Sequence, residues 1–148
     1  MQEERVHIFL ADDDTDERVL FHEAIRLNAI EAELSVAGNG SELLELLLSM
    51  PVNATRLVFL DLNMPIKNGY DCLREIRQHE TLRTLPVIIY STSNNQKDIN
   101  DTFEAGADFY LHKPSSFNDL QSAMRKLIAL QRKVHEKTTR ENFVIAVK

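Results

Sequence analysis

Two periodicities take turns along this chain, and that alternation limits what it can fold into more than any other feature. Short β-rich runs fall at Val6–Ala11, Leu34–Ala37, Arg56–Leu60, Pro86–Ser91 and Phe109–His112, with helical patterns between them and after the last. The runs VHIFLA, RLVFLDL and PVIIYS are almost continuously apolar. Strands covered by helices on both faces read that way, whereas half-exposed strands alternate. Strands alternating with helices imply parallel neighbours joined by right-handed crossovers. The expected fold is α/β: a doubly wound, five-stranded parallel sheet of (βα)5 type.

Helix ends are signalled locally. Thr15 is placed to cap a helix reaching about Asn28, with Asp16 and Glu17 in the first turn, where the helix dipole favours acids. Asn39 with Glu42, and Ser93 with Gln96, have the spacing of capping boxes. Gly106 can end a helix in the left-handed region. Ser116 with Asp119 opens the last helix, whose apolar residues Leu120, Ala123, Met124, Leu127, Leu130 and Val134 share one face. The composition changes after Val134: HEKTTREN is polar, then FVIAV is β-prone. Residues 1–134 are thus expected to form one domain and 135–148 a C-terminal extension. Its apolar end is expected either to dock on its own domain or to join a homodimer contact across the last helix.

With 148 residues the chain can bury a sizeable core. A net charge of -6 argues against DNA as a partner, because affinity for the phosphate backbone needs clustered Lys and Arg. Arg125, Lys126, Arg132, Lys133, Lys137 and Arg140 form a basic stripe, which reads as a solvated face. Cys72, alone, cannot make an internal disulfide; with no signal-peptide pattern at the N-terminus, a reducing, cytoplasmic setting is expected. No apolar run is long enough for membrane insertion.

In a doubly wound sheet the working surface lies beyond the carboxyl ends of the strands. There the sequence places Asp12, Asp13 and Asp14 after the first strand, Asp61 after the third, Ser91 at the end of the fourth and Lys113 after the fifth. Crowded carboxylates repel: at ~4 Å and an effective dielectric of ~20, each like-charged pair costs about 4 kcal/mol. Such a cluster either holds protons or recruits a hard cation, and Mg²⁺ suits an all-oxygen site that also takes a phosphoryl oxygen. A carboxylate can itself be the nucleophile, giving an acyl phosphate. Phosphoryl transfer then needs charge neutralisation and positioning, which Lys113 and Ser91 can supply. Asp14 reads as a capping or solvated residue.

The segments IFLADDD, VFLDLNMPIKNGYD, LPVIIYSTS and GADFYLHKP stand in the order and spacing of a response-regulator receiver domain, and the chain resembles that family over roughly residues 5 to 134. The resemblance implies a flavodoxin-like fold and a phosphoacceptor switch of a two-component phosphorelay. Asp61 would be the phosphorylated residue. Asp12 and Asp13 would hold Mg²⁺ together with Asp61 and the backbone carbonyl of Asn63. Ser91 and Lys113 would contact the phosphoryl group, and Tyr110 would be the switch aromatic, rotating inward when Asp61 is phosphorylated. Met64 and Pro65 would shape the loop after the nucleophile, and Gly69 would match the glycine that opens the next helix. Implied partners are a histidine kinase or phosphotransfer protein and a downstream protein target. The STS run is similar to that of the small phytochrome-associated regulators.

A second function fits part of the pattern. A haloacid-dehalogenase-like phosphatase also has a strand-one aspartate, a later Ser or Thr and then a Lys; Asp12 would be its nucleophile and Asp14 its acid. Thr15 is off the spacing of that motif, and no acidic pair follows the Lys to complete its metal site.

Overall fold

The computed structural model describes residues 6–28, 32–50, 55–131 and 139–145. Five strands, β1 (Val6–Ala11), β2 (Ala32–Ala37), β3 (Thr55–Leu60), β4 (Val87–Ser91) and β5 (Phe109–His112), alternate with five helices. These are α1 (Thr15–Leu27), α2 (Gly40–Ser49), α3 (Gly69–Gln78), α4 (Gln96–Glu104) and α5 (Phe117–Gln131). The strands form one parallel sheet in the order β2-β1-β3-β4-β5. The chain therefore starts in the middle, winds to one edge, crosses back and winds to the other, the (βα)5 architecture expected from the alternation.

The period-two placement of side chains divides the core into two layers. Ile8 and Leu10 of β1, Leu57 and Phe59 of β3 and Ile88 and Tyr90 of β4 pack under α1 and α5, against Phe21, Ile25, Leu120, Met124 and Leu127. Phe9, Val58, Leu60, Val87 and Ile89 face the other way, onto Leu43 and Leu47 of α2 and Leu73 and Ile76 of α3. Burial on both faces is what the unbroken apolar runs encode.

Most helix ends fall where the sequence signals them, and two caps shift. Asp14, not Thr15, caps α1: its Oδ1 accepts from the backbone N–H of Asp16 at 2.9 Å and of Glu17 at 3.2 Å. A carboxylate one residue earlier competes better for those donors than a hydroxyl, and Thr15 becomes the first helical residue. Asn95, not Ser93, caps α4 by accepting from the Asp98 N–H at 2.8 Å, while the Ser93 hydroxyl donates to the Asp98 carboxylate at 2.6 Å. Asn39 accepts from the Glu42 N–H as expected, but the returning carboxylate of Glu42 accepts from the Gly38 N–H. Gly106 adopts φ 101° just past α4, the left-handed position at which only glycine is free of strain. Val134 lies outside the described residues.

The two edges of the sheet differ. Nothing pairs with the outer edge of β2 among the described residues, and Val36 of β2 and Leu48 of α2 are exposed beside it. At the other edge, residues 139–145 return to the sheet. The Tyr110 N–H donates to the Phe143 carbonyl at 2.9 Å, and the Ile145 N–H donates to the Tyr110 carbonyl at 2.9 Å, so Val144 forms a parallel bridge to β5. Phe143 and Ile145 are buried, one in each core layer. This segment docks on its own domain.

Candidate phosphoacceptor and metal site

The chain reaches the carboxyl edge of the sheet with its polar groups aligned because adjacent strands end in register. Ala11 of β1 is level with Ala37 of β2 and Leu60 of β3, so Asp12 and Asp61 leave the sheet side by side. Backbone bonds continue past the strand ends: the Asp61 N–H donates to the Ala11 carbonyl and the Lys113 N–H to the Ser91 carbonyl, at 3.0 and 2.8 Å.

Asp12, Asp13 and Asp61 converge, each presenting a carboxylate oxygen within 4.8 Å of the others. Asp12 is fully buried, Asp61 nearly so, and Asp13 is exposed at the mouth. Three oxygen donors, two of them withdrawn from water, can coordinate a divalent metal ion. Burial holds the Asp61 carboxyl above its ordinary range; Lys113 pulls it down and Asp12 pushes it up. Lys113 closes the pocket from β5. Its Nζ donates to Asp12 Oδ2 at 2.9 Å and Asp61 Oδ2 at 3.2 Å, and also to Glu17. Burial would lower the Lys113 pKa, but Glu17, Asp12 and Asp61 together more than offset that and hold it above its ordinary value. The ammonium also sits 5.2 Å from the centre of the Tyr90 ring, within cation–π range.

The loop after Asp61 is tightly folded. The Asn63 N–H approaches Asp61 Oδ1 at 3.3 Å. Lys67 N–H donates to the Pro65 carbonyl at 2.7 Å across Ile66, which is held at φ 66°. Gly69 then packs on Asp61 itself: a Cβ there would lie 2.0 Å from the Asp61 carbonyl oxygen, so only glycine lets α3 start so close.

Ser91 is buried at the end of β4, and its hydroxyl accepts from the Ser93 N–H at 3.1 Å. Tyr110 meets the same loop from β5, its hydroxyl donating to the Ser93 carbonyl at 2.8 Å, and its ring is already buried against Phe143. The Tyr110 and Phe143 rings meet edge to face with centroids 6.1 Å apart. Cys72 is buried on α3 and burial pushes its thiol up to about 12, in line with a small core residue.

One charged participant escaped the sequence reading. Glu17 was expected only to favour the helix dipole, yet its carboxylate reaches Lys113. Burial holds that carboxyl above its ordinary value, against the pull of Lys113 and with the push of Asp12. Its position in the first turn of α1, one turn beyond Asp13, was the available signal. Asp14, the acid of the phosphatase reading, caps α1 through its Oδ1.

Comparison with known proteins agrees with this geometry. Residues 8–125 match the family model described as the response regulator receiver domain. Response regulator Rcp1 of Synechocystis is 32% identical over 117 residues, covering 76% of this chain and 80% of that protein. A crystal structure of the Mn²⁺-bound form of Rcp1 superposes with a TM-score of 0.73 at 27% identity, over 90% of this chain and 99% of that one. The phosphorylated cyanobacterial phytochrome response regulator RcpA gives 0.77 at 27% identity, over 93% and 100%.

Proposed function

The chain belongs to the response regulator receiver domain family, phosphoaspartate switches of two-component relays that act on their own phosphorylation state and are not conventional enzymes; from that premise we propose that Asp61 is the acceptor. The observation that carries this is the meeting of the Asp12, Asp13 and Asp61 carboxylates beside the Lys113 ammonium at the carboxyl edge of the sheet. Asp12, Asp13, Asp61 and the backbone carbonyl of Asn63 would hold Mg²⁺. The all-oxygen donor set fits that hard cation, and Rcp1 has been crystallised with Mn²⁺. The ion would supply charge neutralisation for the incoming phosphoryl group.

The chain's own residues account for the rest of the chemistry. An Asp61 carboxylate oxygen attacks phosphorus, the P–N bond to a phosphohistidine donor breaks, and the imidazole leaves with the bond pair and takes up a proton. A P–O bond remains on Asp61 as an acyl phosphate. Lys113 pairs with the transferred group and the Ser91 hydroxyl turns to donate to it. Their roles are those of positioning and charge stabilisation.

A kinase or phosphotransfer partner follows from the receiver fold. A photoreceptor histidine kinase is the specific donor we favour, supported by the likeness to the phytochrome regulator RcpA. Residues 1–134 form the receiver in this reading, and 135–148 an extension that serves the same domain in place of a homodimer, since Phe143 and Ile145 are buried within their own chain. The net charge of -6 speaks against DNA as a target, leaving protein contact as the output. Among the described residues no helix is long and apolar enough to cross a membrane. Asp61→Asn tests the assignment: the amide is nearly isosteric but a poor nucleophile, so uptake of radiolabelled phosphoryl from acetyl phosphate with Mg²⁺ should vanish while the circular dichroism spectrum is retained. Labelling of that variant to wild-type stoichiometry would refute it.

A further inference from the structure

Lys113 has three N–H bonds to give, and all three are taken. Two go to Asp12 and Asp61, which belong to the acidic cluster, and the third goes to Glu17, which does not. A divalent ion in the cluster would draw the oxygens of Asp12 and Asp61 toward itself and weaken their hold on the ammonium. Glu17 lies outside that cluster, so such an ion would leave its hold on the ammonium in place. It is fixed on the first turn of α1 by the Asp14 cap immediately before it, which accepts from Glu17's own N–H. The Lys113 side chain is nearly enclosed, 8% exposed, so it cannot swing away into water to escape the contact.

We propose that Glu17 is a positioning residue that restrains Lys113, drawing its ammonium toward α1 and competing with the phosphoryl group on Asp61 for the same donor. The proposal rests on the assignment of Asp61 as acceptor and Lys113 as the phosphoryl-binding cation. Phosphoryl uptake requires the Lys113–Glu17 hydrogen bond to be exchanged for a Lys113–phosphoryl one. Glu17 thereby sets how readily small donors, which bring no protein surface to rearrange the pocket, can load the domain.

The test measures the second-order rate of Asp61 labelling by acetyl phosphate at saturating Mg²⁺ in six proteins: wild type, E17Q, E17D, K113A, E17Q/K113A and D61N. Release of one partly solvated ion pair predicts a rise of roughly fivefold for E17Q. E17D keeps the charge but shortens the reach by one methylene, so it should rise with E17Q; a purely electrostatic role would leave it at the wild-type rate. In the K113A background, E17Q should change the rate by less than twofold, because the residue that Glu17 acts through is gone. Equal rates for wild type, E17Q and E17D, or the same E17Q factor with and without Lys113, would overturn the proposal while leaving the Asp61 assignment intact. Label retained in D61N would overturn both. Melting curves of each variant separate loss of fold from loss of restraint, since a merely structural Glu17 would lower stability and slow labelling.

Discussion

The carboxylate pocket and the strap over β5 lie on either side of the same loop and obey opposite rules. The pocket buries Asp12 and most of Asp61 at an electrostatic cost, with a single ammonium against four acids. The strap buries Phe143 and Ile145 among Phe103, Tyr110 and the two core layers, and its backbone donors and acceptors are matched to Tyr110 on both sides. One region is held folded by the rest of the molecule so that it can do chemistry; the other does the holding. They touch at Ser93, whose N–H serves Ser91 and whose carbonyl serves Tyr110.

If that contrast is right, truncation in the strap should destabilise and neutralisation in the pocket should not. Phe143→Ala should have the largest effect, a loss of about 3–5 kcal/mol, the usual cost of emptying a buried Phe. Chemical denaturation would show it, and a loss under 1 kcal/mol would mean that the strap does not hold this edge. Divalent ion should act next. At tenfold excess over its dissociation constant, Mg²⁺ should stabilise the wild type by about 1.4 kcal/mol through linkage, and Asp13→Ala should remove that gain. Identical melting shifts with and without Asp13 would misplace the metal.

Asp61→Asn in metal-free buffer should move stability upward. Burial raises the folded-state pKa of Asp61, so the folded chain binds that proton more tightly than the unfolded chain does. The resulting stabilisation is fully present below the unfolded value, ~4, and is lost as the pH rises through the folded one. The variant should therefore melt with the wild type near pH 4 and above it at pH 8. A gap that widens toward acid would reverse the argument. The smallest effect is expected at Val144, whose side chain is exposed: Val144→Ala should stay within ~0.5 kcal/mol of wild type.

The same contrast explains what could be read from the sequence. The sheet, its two-layer core and the meeting of Asp12, Asp13, Asp61 and Lys113 were legible, because strand ends are fixed by local apolar runs and the parallel topology brings those ends to one edge. Glu17 was not, since a helix-terminal acid looks alike whether it faces solvent or a lysine 96 residues away in sequence. The strap was half legible. FVIAV announced a buried segment, but whether it would lie against its own β5 or on a second copy depends on a geometry that no local pattern carries. The caps moved by one or two residues because Asp, Ser, Thr and Asn all compete for the same free N–H groups.

The covered β5 edge also has a consequence for assembly symmetry. A parallel sheet with two open edges can pair at both and grow without limit, which is the geometry of filaments. Among the described residues one edge carries a single bridge at Val144, and β2 offers an open strand edge. Edge-to-edge association through that strand has a natural stopping point: two copies meeting β2 to β2 across a twofold axis use up both β2 edges.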